Sequence, residues 1–362
     1  MFNYVDLAIA FIIALVSAFV LTYPVKKLAI KMKVVDLPNH RKIHTKVTPR
    51  MGGLAIFLGA VLGALYLHPS HPHIPEILAG AIVIIITGML DDRYSIKPVI
   101  KLTGQLVAAS FLVSSGLIIE RITLPFIGMI DLGFFSVLIT VFWVVGITNA
   151  INLIDGLDGL ATGVSTIALS SMFVMALFDA QVIAAYLCIV LIGANLGFLY
   201  HNFYPAKIYM GDTGSNFLGF MIAAISMLGL FKNIALFSFI IPVIVLAVPI
   251  FDTMLAIFRR ATNKESIMMA DNKHIHYRLI EAGYSHRKTV LVIYAFSALF
   301  GIMAIVFSNA SLITSFVVTL LVLVLLHIFA ELAGLVMGGK RPVVDRLRGI
   351  RKKAKQKQKH KQ

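Results

Sequence analysis

The sequence predicts an all-α, polytopic integral membrane protein, on the evidence of its composition, its hydropathy and its series of apolar segments. Of the 362 residues, 59% are hydrophobic and 14% are charged, whereas soluble proteins average about 45–50% and about 25%. The mean hydropathy is +0.91. A single soluble core stops growing beyond about 250–300 residues, so this much apolar surface requires a bilayer. The composition excludes a disordered chain and a soluble nucleic-acid-binding protein, and the single cysteine, Cys188, excludes a disulfide scaffold.

Eleven apolar segments approach the roughly 20 residues needed to cross the hydrocarbon core. We expect spans at residues 5–24, 51–67, 77–90, 99–119, 134–148, 160–178, 181–200, 214–230, 234–258, 290–308 and 312–335. Ten spans are the alternative. Several of the segments are short and rich in glycine. Such spans are typical of helices that pack closely or break beside a binding site.

The positive charges predict which side each loop faces. The stretches 25–50, 91–101, 201–213, 259–288 and 336–362 hold all but two of the 32 lysines and arginines, and the alternate loops hold only Arg121 and Lys232. Cytoplasmic loops carry the excess of lysine and arginine. We therefore expect the amino terminus outside and the carboxyl terminus in the cytoplasm.

The last residues, 336–362, form a basic tail that is distinct from a transmembrane domain at 1–335. We expect the tail to be disordered. Each lysine or arginine near an anionic leaflet contributes about 1 kcal/mol of attraction, so the tail predicts attachment to anionic membrane lipids. RNA binding is the alternative, but no aromatic residues lie between the charges, and no nucleic-acid partner is expected.

Polar motifs gather on the predicted cytoplasmic side. They comprise Asp91 and Asp92 after the third span, Asn149, Asn152, Asp155 and Asp158 after the fifth, Asp212 before the eighth, and His274 and His276 in the 259–288 loop. Ionised groups at membrane depth are costly and mark functional sites. Oxygen donors without thiols favour Mg²⁺ or Mn²⁺ and, beside it, a phosphate or diphosphate.

The spacing within these motifs adds local predictions. The positions from Asn149 to Asp158 step by three, so two or three of these side chains could reach one metal from a helix. Gly156 and Gly159 indicate that this helix opens. Gly211 and Gly214 flank Asp212 before an apolar run, which predicts phosphate binding at a helix N terminus. His274 and His276 favour a phosphate contact, with a zinc pair as the alternative.

Together these motifs resemble those of the polyprenyl-phosphate N-acetylhexosamine-1-phosphate transferases (glycosyltransferase 4 family) of bacterial envelope synthesis. The resemblance is carried by Pro49-Arg50-Met51-Gly52-Gly53, Asp91-Asp92 with Lys101, Asn149–Ala161, Met210–Ser215 and His274-Ile-His276. It covers roughly residues 5–335, which become the catalytic domain, and leaves out the tail. It implies a multi-pass enzyme of the bacterial cell membrane with a cytoplasmic active site.

The resemblance also implies a reaction and residue roles. A hexosamine 1-phosphate moves from its UDP-activated form to undecaprenyl phosphate, releasing UMP, with Mg²⁺ or Mn²⁺ as cofactor. Asp212 and Asn152 look like metal ligands, Asp91 and Asp92 like carboxylates acting on the lipid phosphate, Asp155 and Asp158 like groups at the nucleotide end, and Lys101, His274 and His276 like diphosphate ligands. The resemblance also implies that Arg50 and Asn149 bind substrate. Tyr209 could stack on uracil or pack in the core.

His274-Ile-His276, in place of three consecutive histidines, favours one branch of the family. That branch uses UDP-N-acetylglucosamine to start teichoic acids, O-antigen or related polymers, whereas the other uses a nucleotide-muramoyl-pentapeptide. Many members read His-x-His-His, so Tyr277 either supplies a hydroxyl in place of the last imidazole or marks a dispensable role.

Phosphate chemistry favours one mechanism over another. A phosphate monoester has a second pKa of about 6, so the lipid acceptor is largely dianionic at neutral pH and needs little help from a base. Direct attack on the donor is therefore favoured over a covalent aspartyl-phosphate route. A transporter or flippase is the alternative class of protein, and a homodimer is left open.

Overall fold

The computed structural model describes residues 2–36, 47–124, 128–229, 240–264, 274–308 and 310–334. The basic tail at 336–362 and the first residues of the predicted span at 234–258 lie outside this described part. Helices dominate the described residues, and the short strands form two small pairs. The predicted all-α class is confirmed.

The helices are α1 (Tyr4–Lys31), α2 (Gly53–Leu67), α3 (Ile74–Tyr94), α4 (Pro98–Ser114), α5 (Phe135–Ile154), α6 (Leu160–Phe178), α7 (Val182–Asn202), α8 (Gly211–Gly229), α9 (Ile240–Val245), α10 (Ala247–Thr262), α11 (Ile275–Glu281), α12 (His286–Ser308) and α13 (Leu312–Leu332). The strands β1 (Val35–Asp36) and β2 (Thr48–Pro49) pair antiparallel, as do β3 (Arg121–Leu124) and β4 (Gly128–Asp131).

Each predicted span coincides with helical structure, although the helices differ in length. Within the described residues, α1, α3, α5, α6, α7, α12 and α13 are long and apolar enough to cross a membrane. Helices α2 and α4, of 15 and 17 residues, are shorter, and the ninth predicted span is divided into α9 and α10 at Leu246. The protein is therefore a multi-pass membrane protein, and the total of eleven crossings and their orientation stay predictions.

Helix α8 is the central helix of the bundle. All of its residues are buried, and α2, α3, α5, α6 and α7 pack around it. Its first turn holds Asp212. The position of this carboxylate is consequently set by the packing of the helices around α8.

Glycines let the neighbouring helices approach the backbone of α8. A Cβ on Gly53 of α2 would collide with the backbone of Gly214, and a Cβ on Gly88 of α3 would lie 2.5 Å from the Cα of Thr213. Small residues at such contacts are what allows helices to pack closely in membranes. Helices α2 and α3 therefore meet α8 on either side of its first turn.

The segment before α2 is joined to the segment before α8 through the backbone. Arg50 and Tyr209 form a parallel bridge. The Tyr209 N–H donates to the Pro49 carbonyl at 2.8 Å, and the Gly52 N–H donates to the Tyr209 carbonyl at 2.9 Å. Two motifs that are far apart in the sequence are thereby held side by side.

Gly53→Ala is expected to destabilise the protein, because the added methyl group meets rigid backbone of α8 rather than a flexible side chain. Overpacking of this kind typically costs about 1–3 kcal/mol. Thermal unfolding in detergent should give a lower Tm than wild type. Gly146→Ala on α5 is the matched control, since nothing lies within 4 Å of its Cβ position. Equal Tm values for the two variants would contradict the packing described above.

Candidate active site

Asp92 caps the N terminus of α8. Its Oδ1 accepts the Asp212 N–H at 2.9 Å, and its Oδ2 accepts the Thr213 N–H at 3.0 Å and the Thr213 hydroxyl at 2.7 Å. Gly211 makes room for this contact with a φ of +72° and no Cβ. An internal carboxylate therefore takes the N–H groups of Asp212 and Thr213 at this N terminus, and the phosphate contact expected there stays a prediction.

Arg50 connects two of the predicted carboxylates. Its Nε lies 3.3 Å from Asp92 Oδ1, and its Nη2 donates to Asp212 Oδ1 at 3.0 Å. Burial alone would lower the pKa of Arg50. The carboxylates of Asp92 and Asp212 have the larger combined effect and hold the pKa above its ordinary value. Arg50 is therefore a fixed cation, and one third of its side chain is still exposed.

Lys101 and Asn152 complete the surroundings of Asp212. The Lys101 ammonium donates to Asp91 Oδ2 at 3.0 Å and also to Asp212 Oδ2. The Asn152 amide donates to the same Asp212 oxygen at 3.1 Å. The structure thus brings the two predicted metal ligands together with the predicted catalytic lysine.

The paired aspartates Asp91 and Asp92 have different surroundings. The Asp92 side chain is 0% exposed and is used as a helix cap, whereas the Asp91 side chain is 11% exposed and bonds to Lys101. Asp91 is thus the member of the pair that an arriving ligand could reach.

A network of hydrogen-bonded amide side chains supports the backbone of Asp212. Asn216 donates to the Asp212 carbonyl at 2.9 Å and accepts from Gln105 at 3.2 Å. Gln105 in turn accepts from Asn149 at 2.8 Å. Asn149, which was predicted to bind substrate, is therefore hydrogen-bonded to Gln105 in this network.

The chain opens between α5 and α6, as Gly156 and Gly159 predicted. Asp155 caps the end of α5, and burial raises its pKa to about 7. Asp158 lies in the opened segment, where its Oδ2 accepts the Ala206 N–H at 2.9 Å and its own N–H donates to His286 Nε2 at 3.0 Å. Of these two predicted catalytic carboxylates, Asp158 is held by the loop between α7 and α8.

The two predicted histidines lie together beside the α5–α6 opening. Their rings are nearly parallel, with centroids 5.8 Å apart. The Nδ1–H of His274 donates to Asp252 Oδ2 at 3.0 Å, and Asp252 Oδ1 accepts the Ile275 N–H at 3.0 Å. His276 packs against Gly156, and burial lowers its pKa to about 3. His276 is consequently neutral at physiological pH.

Tyr209 is half-buried beside Arg50, to which its backbone is bridged. Burial raises the pKa of its phenol to about 12. Stacking on uracil stays a prediction for this ring.

The donor set around Asp212 suits a magnesium ion. Among the described residues, Asp91, Asp92 and Asp212 form ion pairs with two cations, Arg50 and Lys101, so three carboxyl groups lie beside two positive charges. No group of three or more His, Cys, Asp or Glu side chains could hold a metal alone in the ranges the structure describes. Magnesium typically needs one or two carboxylates and takes its other ligands from waters and phosphates, so the residues present fit it.

Sequence reasoning missed three residues that support the site. Asp252 orients His274, while Gln105 and Asn216 support Asp212. Asp252 and Gln105 each stand in a predicted apolar span, and a polar residue at such a position was the available signal.

Two comparisons with known proteins bear on the family. The sequence model of glycosyl transferase family 4 matches residues 74–230. A Bacillus subtilis protein named "Probable undecaprenyl-phosphate N-acetylglucosaminyl 1-phosphate transferase" is 47% identical over 337 residues, which cover 92% of this chain and 93% of that protein. The chain belongs to glycosyl transferase family 4. The resemblance predicted from the motifs is confirmed.

More distant relatives are also similar over most of their length. The decaprenyl-phosphate N-acetylglucosaminephosphotransferase of Mycobacterium tuberculosis is 38% identical, with 84% of this chain and 83% of that protein covered. The undecaprenyl-phosphate alpha-N-acetylglucosaminyl 1-phosphate transferase of Escherichia coli is 29% identical, with 87% and 88% covered. The similarity therefore extends well beyond residues 74–230.

The different surroundings of Asp91 and Asp92 lead to a stability prediction. Asp92→Asn should lower the Tm, because an amide nitrogen cannot accept the buried N–H groups of α8, and each unsatisfied group costs about 1–3 kcal/mol. The Tm of Asp91→Asn should be close to that of the wild type, because Lys101, the partner of Asp91, still forms its ion pair with Asp212. Thermal unfolding of the two purified variants tests this. A larger loss of Tm for Asp91→Asn would show that the cap is assigned to the wrong residue.

Proposed function

We propose that this protein transfers N-acetylglucosamine 1-phosphate from UDP-N-acetylglucosamine to undecaprenyl phosphate and releases UMP. The proposal rests above all on the convergence of Arg50, Lys101 and Asn152 on Asp212. The names of the similar proteins give the sugar and the lipid class. We further propose that the product starts an envelope polymer such as teichoic acid or O-antigen.

The carboxylates of the site lie at the ends of helices, and this position disfavours a transporter. Asp91 is near the end of α3, Asp155 caps the end of α5, and Asp212 begins α8. Transport sites lie near the middle of the membrane, whereas these residues share one end of the bundle, called the site end below. With the lysine and arginine distribution, this supports a site facing the cytoplasm of a bacterial cell.

The lipid phosphate is assigned to Arg50, Lys101 and Asp91. Arg50 and Lys101 supply fixed positive charge, and Asp91 is partly exposed beside them. An oxygen of the lipid phosphate forms a bond to the β-phosphorus of the donor, and the bond from that phosphorus to the bridging oxygen breaks, so that UMP leaves with the electron pair. Because Asp92 is fully used as a helix cap, it is not available as a nucleophile.

The donor end is assigned to the α5–α6 opening. Asp155, His274 and His276 lie around this opening, and Asp252 fixes the ring of His274 so that its Nε2 can meet a phosphate oxygen. His276 is neutral, so it can contribute a hydrogen bond and no charge.

Asp212, Asn152 and Asp91 would hold the magnesium ion, with Mn²⁺ as the substitute. When bound, the ion supplies positive charge that offsets the charge of the diphosphate and of the leaving UMP. The chain's own Arg50 and Lys101 keep the surrounding carboxylates paired while the phosphates arrive.

Incubating the purified protein with undecaprenyl phosphate, Mg²⁺ and a panel of UDP-sugars tests the function. UMP release is expected with UDP-N-acetylglucosamine. None is expected with the muramoyl-pentapeptide nucleotide, because His274-Ile-His276 replaces the triple histidine of that branch. Lys101→Gln is the matched negative control for contaminating activity. A better rate with the muramoyl nucleotide, or no UMP with any donor, would overturn the assignment.

A further inference from the structure

At the site end of the bundle, helix α12 contacts the turn that carries Asp158. His286, the first residue of α12, accepts the Asp158 N–H at its Nε2, at 3.0 Å. About two turns further along α12, the Tyr294 hydroxyl donates to the carbonyl of Gly159. Gly159 has a φ of +77°, and glycine adopts either sign of φ about equally readily. The conformation of this turn therefore depends on contacts from elsewhere, and α12 supplies one on each side of it.

The loop between α7 and α8 closes a ring of contacts around Asp158. Asp158 Oδ2 accepts the Ala206 N–H at 2.9 Å. Tyr204, which precedes Ala206 in the same loop, lies against His286 with ring centroids 4.5 Å apart. Arg287 donates to the Tyr204 carbonyl at 3.2 Å, and its guanidinium lies 5.4 Å from the centroid of the Tyr204 ring. Three segments that are distant in the sequence therefore meet at Asp158, which stays partly exposed.

The hydrogen bonding of His286 indicates what this residue contributes. Because Nε2 accepts a hydrogen bond, the proton of the neutral ring is on Nδ1. The Nδ1 atom is buried and has no hydrogen-bond partner among the described residues. Burying an N–H group without an acceptor lowers stability, so histidine is a poor choice here for stability alone. Its contribution is the acceptor that it offers to the backbone of Asp158.

We propose that His286 and Tyr294 are positioning residues for the donor nucleotide, an inference that rests on the proposed function. Neither residue belongs to the motifs that carry the family resemblance. They act through Asp158, whose turn forms part of the α5–α6 opening to which the donor is assigned. Burial and the nearby carboxylate of Asp158 both raise the pKa of Tyr209, so Asp158 also stands close to the ring predicted to stack on uracil. A shift of the turn would therefore weaken binding of the nucleotide and leave the lipid phosphate site intact.

The test compares His286→Ala with His286→Gln, whose side-chain oxygen can accept the Asp158 N–H in place of Nε2. The KM values are measured separately for UDP-N-acetylglucosamine and undecaprenyl phosphate, and the Kd of UMP is measured by isothermal titration calorimetry. His286→Ala should raise the donor KM and the Kd of UMP about tenfold and leave the lipid KM unchanged. His286→Gln should recover most of the donor affinity. Lys288→Ala is the matched control, because its side chain is exposed on the same turn of α12, and it should change none of these values.

Other results would overturn the inference. Equal increases in the two KM values, or a lower Tm with unchanged KM values, would mean that His286 only supports the fold. No change in any value, or a glutamine variant as weak as the alanine variant, would mean that the acceptor at this position does not matter. If His286→Ala does not fold, Tyr294→Phe removes the hydrogen bond on the other side of the turn and should raise the donor KM in the same selective way.

The UMP measurement separates this inference from the proposed function, because it needs no turnover. If the wild type binds UMP but transfers no sugar, the proposed function fails. The Kd of UMP for His286→Ala and His286→Gln still decides whether these contacts position the nucleotide.

Discussion

The site depends on one carboxylate, that of Asp92, at the buried N terminus of α8. The first N–H groups of any helix lack partners within the helix, and the residues that carry them are buried where α8 begins. Asp92 accepts the N–H groups of Asp212 and Thr213 from a neighbouring helix. A negative charge at this position also interacts favourably with the positive end of the helix dipole. The cap therefore joins α3 to α8 and fixes where Asp212 stands.

The cap also explains why the cations are present. Burying the carboxylates of Asp92 and Asp212 so close together is costly unless the charge is paired. Arg50 pairs with both, and Lys101 pairs with Asp212 and Asp91. Asp91 lies at the partly exposed edge of the cluster. A site of this kind is prepared for a divalent cation that arrives with a diphosphate.

The sequence predicted the class of fold and the gathering of motifs, because both follow from hydropathy, charge and spacing along the chain. It could not separate Asp91 from Asp92. Neighbouring residues on a helix point about 100° apart, so one of the pair meets α8 and the other meets Lys101, and only the packed helices decide which. The helix N terminus at Asp212 was predicted correctly, but the sequence did not indicate that Asp92, on another helix, accepts its N–H groups.

The same limit applies to the polar residues behind the site. Asn149 was assigned to substrate from its motif, but it bonds to Gln105 on α4. Asp252 lies 22 residues before His274 and meets it across the fold. Spacing along one helix predicts which residues share a face, and it says nothing about partners that tertiary packing brings from distant segments.

The most direct test of this account is UMP release by Asp212→Asn across a titration of Mg²⁺, on protein that elutes like wild type in detergent. Asparagine keeps the size of the side chain and removes the charge on which Arg50, Lys101 and the ion depend. We predict no release from UDP-N-acetylglucosamine at any Mg²⁺ concentration. A rate like that of the wild type would contradict the central place given to Asp212.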